Sequence, residues 1–409
     1  MKGGDLKRRL GDDRFYGDNL LQKEELKMKK LIVFFLAILV PASVAFGASE
    51  KPIKIGTILN YTGPAAMLGP LFKNGIVKAL EENDNKIAGR PIELIVEDAA
   101  GDPSVCLEKA RKLVERDKVK IIIGPLMGDA HLAIAPYMAN KNVLITTLYC
   151  GGIELGKYRN WLTYPTTLVG LTLPVGWYAH DSGYRTMVMI TSDYAGGHGF
   201  MKGVRMGFEG KGGKVIQEVF VPVGTADFGP YHSTLKDADC VAFFVPNSAE
   251  SARLITQYRE FGVKMPLLGT TLAADLPEAV MKDLGDNVIG VRGQAAYIWS
   301  RDNPVNNQWV KAMEKRFGMK PGGLASNSYC ITSAILAALK ATGGDETLSK
   351  LWRALVRVQL DTPQGSLSFT HEGFAITDGY IVEAKVIDGK YVWDPIKVYP
   401  QVLDPRLEK

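Results

Sequence analysis

The chain holds little of what covalent or metal chemistry leaves in a sequence. Four cysteines in 409 residues, Cys106, Cys150, Cys240 and Cys330, stand too far apart to read as a disulfide framework, and buried free thiols are expected. The five histidines, His131, His180, His198, His232 and His371, keep neither HExxH nor CxxC company, which excludes the common zinc patterns. There is no GxSxG nucleophile elbow and no GxxxxGK[ST] phosphate loop. The reading is therefore of a non-enzyme with no metal and no cofactor. Basic excess is missing as well. Nine of the 49 Lys and Arg and six of the 44 Asp and Glu fall within residues 1–47, so the remainder carries 40 against 38. A near-neutral chain without a basic patch excludes nucleic acid as a partner. Finally, the longest apolar run, Leu31–Val40, is half of the about 20 residues that a membrane span needs.

That short run is instead part of a recognisable signal. In "KMKKLIVFFLAILVPASVAFGASE", Lys27–Glu50, charge at Lys29 and Lys30 precedes the apolar stretch, and Pro41 and small residues follow it. These are the three zones of a secretory signal peptide over 28–47, with cleavage expected after Gly47. Residues 1–27 are charged, of mixed sign and aperiodic; they fit an over-called start, with Met28 as the first residue. A cytoplasmic tail on an uncleaved anchor is the alternative. No cysteine follows the run to take a lipid, so a periplasmic product is expected.

The remaining residues, about 360, are too many for one core and suit two lobes. "IKIGTIL", "IELIVED", "VKIIIGP" and "VLITTLY" read as strands, and "TMVMITS", "KVIQEVFV", "CVAFFVP" and "PLLGTT" repeat the pattern after residue 185. Helical spacing lies between them: Phe72, Ile76 and Leu80 share a face, and Asp102-Pro103 opens a helix carrying Cys106, Ala110, Leu113 and Val114. Further helices are expected near 130–140, in "GFMKGVRMGFE" and in "SAESARLITQYREFG". Strands alternating with helices predict parallel sheets covered on both faces, because parallel neighbours need a crossover. The fold class is α/β, two doubly wound parallel-sheet lobes. "EAKVIDGKYVW" around Asp388-Gly389 predicts a β-hairpin near the C-terminus.

Ligands of open α/β sheets bind beyond the carboxyl ends of the strands. The first lobe offers "NYTGPAAMLGP", "GPLMGDAH" and "LYCGG", with Met67, Leu68, Leu126, Met127 and Tyr149 as apolar bulk and a helix start at Gly128 and Asp129 whose N–H groups suit an anion. Core packing explains Met127 and Leu68 equally well. The second lobe offers "TSDYAGG", "VPNSAES" and "GTTLAAD", where Tyr194 and Asn247 combine bulk with a polar handle. "GGHGF", Gly196–Phe200, reads as a tight strand-to-helix turn, and the carboxylate pairs Glu97-Asp98 and Glu81-Glu82 as solvated.

The segments "IKIGTILNYTGPAAMLGPLFKNGIVKALEEN", "EDAAGDPSVCLEKARKLV", "KVKIIIGPLM", "VLITT", "ITSDYAGGHGF" and "YREFGVKMPLLGTT" resemble the periplasmic leucine/branched-chain amino acid binding proteins of ABC transporters, from about Lys51 to the C-terminal hairpin. The resemblance implies a type I periplasmic binding fold with a three-crossover hinge, lobe one from 48–165 and 293–365 and lobe two from 166–292 and 366–409. It also implies a monomer that closes on a small-molecule ligand and docks on an ABC transporter permease in the inner membrane. Carried over, the ligand set is Met67, Leu68, Leu126, Met127, Gly128, Asp129, Tyr149, Cys150, Gly151, Tyr194, Asn247, Thr271 and Leu324. Departures bear on the solute. The family's carboxylate-binding hydroxyls fall on Gly128 and Gly151, and its ammonium-pairing acid falls on Thr271. Its loop tyrosine is replaced by Gly196, with Tyr194 two residues earlier, and its lobe-one disulfide has no matching cysteines. An ammonium closed in a cleft without a counter-charge is costly. The expected solute is a small apolar or aromatic carboxylate without an obligatory α-ammonium. An amino-acid binder using Asp129 or Asp275 as the acid is the alternative within the family. Outside it stand the ligand-sensing module of a signalling receptor and, weakest, an exported α/β hydrolase.

Overall fold

The computed structural model describes residues 51–63, 66–126, 128–270 and 276–407. The expected leader at 28–47 and the site candidates Met127, Thr271 and Asp275 lie outside the described residues.

Short β-branched runs form the first sheet. In chain order the elements are β1 (Ile53–Leu59), α1 (Leu68–Glu81), β2 (Lys86–Ile87), β3 (Arg90–Asp98), α2 (Pro103–Arg111), β4 (Ile121–Ile123), α3 (Gly128–Met138), β5 (Leu144–Thr146) and β6 (Trp161–Leu162). The strand order is β2-β3-β1-β4-β5-β6, parallel except for the β2 edge. Alternation along β4 serves both faces: Ile121 and Ile123 enter one core, while Ile122 enters the other with Ile58 and Ile145. Each fully buried isoleucine of this kind contributes roughly 1.5–3 kcal/mol. At α2, Asp102 caps the helix as the sequence implies, its Oδ1 accepting from Ser104 N–H at 2.7 Å and Val105 N–H at 3.0 Å, with Pro103 at the first helical position.

The second sheet begins after α4 (Leu168–Asp181). Its elements are β7 (Thr186–Ser192), α5 (Ala195–Glu209), β8 (Lys214–Val221), β9 (Cys240–Phe244), α6 (Ser248–Glu260), β10 (Leu267–Gly269), α7 (Glu278–Leu284) and β11 (Arg292–Ala295). The chain then builds α8 (Pro304–Phe317), α9 (Gly323–Ala341) and α10 (Leu348–Leu355) before the antiparallel run β12 (Leu360–Thr362), β13 (Gly365–Phe369), β14 (Ala375–Ile387) and β15 (Lys390–Val402). Strand order is β12-β13-β14-β11-β10-β9-β7-β8, with β15 on β14. One face packs Val188, Ile190, Val241 and Phe243 against Leu254, Ile255 and Tyr258 of α6; the other packs Met187, Met189, Ala242 and Phe244 against α4 and α5. The β14–β15 hairpin turns at Asp388-Gly389, both at positive φ (50° and 73°), as a two-residue turn demands. The first sheet is parallel but for its β2 edge, and the second is parallel from β11 to β8 and antiparallel from β14 outward, so the α/β pattern read from the sequence holds with an antiparallel extension.

Helices α9 and α10 return to the first sheet, where Ile331, Ile335, Leu339, Leu351 and Leu355 share a core with Ile53, Ile55, Phe72 and Ile76. Three crossings therefore join the sheets, at 163–167, at 296–303 and at 356–374, where β12 and β13 pair onto β14 of the second sheet but pack Leu367 and Phe369 into the first sheet's core. Two local expectations are corrected. "GGHGF" lies inside the first turns of α5; the turn itself is Asp193-Tyr194, since the first α5 N–H groups need a loop before them. Glu97 and Asp98 point apart, as expected, but neither is merely solvated. Glu97 pairs with Lys112 at 2.6 Å, and Asp98 accepts from Tyr61 N–H at 2.8 Å and Thr62 Oγ1–H at 2.7 Å. All four cysteines are buried and free.

The α1–α9 crossing depends on Gly75, where a Cβ would run into Ala325 O and Ser328 Oγ. Gly75→Ala is expected to lower stability by roughly 1–3 kcal/mol through overpacking, although alanine is the better helix former by about 1 kcal/mol. Gly322→Ala, with open space around it, should stay within about 0.5 kcal/mol. Urea midpoints of the two variants check this, and equal midpoints contradict it.

Candidate ligand-binding site

The carboxyl ends of both sheets carry the loops that the sequence singles out. In the first sheet the loop after β1 is tied to β3 by Asp98, which also accepts from Ala100 N–H at 2.9 Å. Gly69 N–H donates to Asn60 O at 3.1 Å, so α1 starts directly against that loop. Leu68 is half-buried on the core of this sheet together with Tyr61, Tyr149 and Leu324, and Leu126 is buried within it. Tyr61 was not among the expected residues; its place after a strand end, beside Asn60, was the available signal. Met67 is 78% exposed and points to solvent rather than to this group.

At the start of α3, Gly128 and Asp129 are exposed, and Asp129 Oδ1 accepts from Ala130 N–H at 2.9 Å. That carboxylate is thus engaged at its own helix start. Behind the loop, the His131 ring donates from Nε2 to Pro125 O at 2.9 Å and meets Trp161 edge-on, with ring centroids 5.9 Å apart. Burial drives His131 down to about 4, against the opposing influence of the Pro125 carbonyl and Asp129. The neutral ring therefore holds up the loop.

The loop after β5 is pinned more heavily. Thr147 Oγ1–H donates to Tyr164 O at 2.9 Å and accepts from Tyr164 N–H at 2.8 Å, and Cys150 N–H donates to the same carbonyl at 2.7 Å. Cys150 sits at φ 62°, a conformation that a non-glycine residue adopts at a cost. Gly151 bridges to Thr167, and a side chain there would meet Leu155, Thr147 and Thr163. This turn carries Tyr149 and Cys150 into the second sheet's core beside Leu171, Phe200, Phe244 and Leu268. Tyr149 thereby packs against both cores.

From the second sheet, Tyr194 precedes α5 and is 37% exposed, its ring 6.3 Å from that of Phe244. Burial, with the Cys150 thiol and the Glu250 carboxylate nearby, pushes its phenol up to about 12. The missing side chain at Gly196 explains this placement: a Cβ there would stand 2.5 Å from Tyr194 Cε2, so the ring lies where residue 196 would project. The shift of the tyrosine by two residues is compensated in space. Asn247 departs from the expectation of a free polar handle. It caps α6, with Oδ1 accepting from Glu250 N–H at 2.9 Å and Nδ2 donating to Glu250 Oε1 at 2.7 Å. A helix after β9 needs that cap, and the amide supplies its oxygen and one N–H to it.

Beneath these loops runs a buried polar network that sequence spacing does not reveal. Gln364, in the third crossing, accepts from the Tyr164 hydroxyl of the first crossing. Its Nε2 donates to Asn327 Oδ1 at 2.6 Å, and Asn327 Nδ2 donates to Leu148 O at 3.2 Å in the site loop. The Tyr380 hydroxyl of β14 donates to Gln364 O at 2.8 Å. Asn306 does similar service at the second crossing, bonding Tyr297, Trp299 O and Arg301 O. Among the described residues no cluster of His, Cys, Asp and Glu can hold a metal ion, and no helix is long and apolar enough to cross a membrane.

Two sheets joined by three crossings share Tyr149 between their cores, and residues 52–390 match the family model of periplasmic binding proteins. The chain belongs to the periplasmic binding protein family. Its type I fold is shared with an ABC transporter substrate-binding protein from Sphaerobacter thermophilus, 29% identical, TM-score 0.82, covering 86% of this chain and 99% of that one. A solute binding protein of an ABC transporter from Rhodopseudomonas palustris, solved with 4-hydroxybenzoate, is 26% identical with TM-score 0.78, covering 87% and 99%. Leu/Ile/Val-binding protein homolog 6 of Brucella suis is 27% identical over 391 residues, 93% of this chain and all of its own length.

Two measurements probe the supports of this binding protein's loops. An unfolded histidine takes a proton near 6.5, so the share of stability held by neutral His131 is complete above that pH and is lost as pH falls toward 4. Between pH 6 and 5 that loss should approach about 1.36 kcal/mol per pH unit, and His131→Gln should flatten the curve by that share. An unchanged slope contradicts it. Gln364→Ala orphans the Tyr164 hydroxyl and Asn327 Oδ1 and is expected to cost roughly 2–6 kcal/mol, about 1–3 kcal/mol for each. A loss under about 1 kcal/mol in urea unfolding counts against the network's weight.

Proposed function

We propose that this binding protein is the exported solute receptor of an ABC importer and that it closes its two lobes on a small, largely apolar carboxylate, preferably an aromatic one. The observation that carries the reading is Tyr149, packed against both cores, with Tyr194 just after the end of β7 in the second sheet. Two aromatic rings at the meeting line of two apolar cores favour a flat apolar solute held by few polar contacts. The α3 start, with Gly128 in place of a side chain, leaves backbone N–H groups to receive the carboxylate. Similarity to the R. palustris protein bound to 4-hydroxybenzoate supports an aromatic acid. The receptor would act in the periplasm as a monomer, reached through the cleaved leader, and hand its solute to a permease in the inner membrane.

The test is a thermal-shift panel on residues 48–409 with benzoate, 4-hydroxybenzoate, leucine, valine and short dicarboxylates. A solute at about a hundred times its dissociation constant adds roughly 2.7 kcal/mol to the folded state. Shifts with the aromatic acids and none with leucine are expected; shifts with leucine or valine alone would sink the reading.

A further inference from the structure

Glu250 is buried, 2% exposed, in the first turn of α6 and in the same row of loops as Tyr194. Its Oε1 accepts from Gly224 N–H at 3.1 Å and from Asn247 Nδ2 at 2.7 Å, so the loops after β8 and β9 fix the carboxylate from two sides. Its Oε2 is buried with no hydrogen-bond partner among the described residues. A buried carboxylate oxygen without a donor is costly, more so than a neutral acceptor, because charge is concentrated on it. Native structures rarely leave such a group unmatched, and a water, an ion or a ligand then supplies its donor. The surroundings agree: Tyr194 lies within electrostatic reach of Glu250, and the hydroxyls of Ser192 and Thr270, at the ends of β7 and β10, are likewise buried without partners.

We infer that Glu250 determines specificity, its free oxygen accepting a hydrogen bond from a hydroxyl at the end of the solute remote from the carboxylate, so that the solute class is a hydroxylated aromatic acid. The inference rests on the proposed function above, with the carboxylate in the first lobe and the ring between Tyr149 and Tyr194. Chemistry favours a ring hydroxyl over an ammonium. An α-amino acid carries its nitrogen on the carbon next to the carboxylate, at the first-lobe end, whereas a substituent para to a ring carboxylate points across the cleft. Gly224 and Asn247 already hold one oxygen, leaving the acceptor needed for a single donor.

Calorimetric titration of residues 48–409 with benzoate, 4-hydroxybenzoate and 4-methoxybenzoate tests this without any substitution. A hydrogen bond to a charged acceptor should favour 4-hydroxybenzoate over benzoate by at least about tenfold. The methoxy acid, which cannot donate, should lose that advantage. In Glu250→Gln the preference should fall to within about threefold while benzoate affinity is kept. Equal affinities for benzoate and 4-hydroxybenzoate in the unsubstituted protein would overturn the inference while leaving the proposed function standing, as would a tenfold preference that survives Glu250→Gln. Failure of every aromatic acid to bind folded protein would overturn both.

Discussion

The side-chain amide of Gln364 is the contact on which the arrangement of this molecule most depends. It joins the first crossing, through Tyr164, to the third, in which it lies, and reaches the site loop through Asn327 and Leu148 O. Its own carbonyl takes the Tyr380 hydroxyl of the second sheet. A buried network of this kind is valuable only when every member is matched, since the low dielectric that strengthens each bond also penalises each orphan. The side chain of Gln364 thus links two crossings and one binding loop, and its backbone carbonyl adds one central strand. The Thr163 pairing with Gly373 and Ala375 ties the same two crossings through backbone at 2.9 Å.

Around that node the division of labour is simple. Parallel strands buried on both faces make two stiff plates, and their carboxyl ends leave loops free to meet a solute. Stiffness continues into the loops themselves: Asp98 ties the first, neutral His131 holds the second, and the Thr147–Tyr164 pair holds the third. Side chains of these loops are thus positioned by groups behind them. The second sheet reaches the same end differently, by capping α6 with Asn247 and by leaving residue 196 bare so that Tyr194 can lie across it.

Much of this was legible in the residues. Short apolar, β-branched runs marked the strands, Asp102-Pro103 marked the start of α2, and Asp388-Gly389 marked the hairpin turn, each because one local preference suffices to decide it. Helices α4 and α9 escaped notice for an equally physical reason. Val169, Leu171, Leu173 and Val175 of α4, like the mostly buried α9, are covered on nearly all sides, so the apolar stripe that marks a surface helix is absent. The cap made by Asn247 was not foreseen because a cap and a ligand contact ask for the same residue type. Glu97 was misjudged because its partner Lys112 lies on a different element.

By itself, the sequence determined the kinds of elements, their order, the α/β class and the strand ends from which binding loops spring, since these follow from periodicity, capping and the need to bury apolar faces. Only the tertiary structure decided which polar groups meet: Gln364 with Tyr164, Asn327 and Tyr380, His131 with Pro125, Glu250 with Asn247 and Gly224, and Tyr194 with the bare surface at Gly196. Such pairings depend on the distance between residues far apart in the chain. No local pattern encodes that distance, because it exists only once the sheets, helices and crossings have packed.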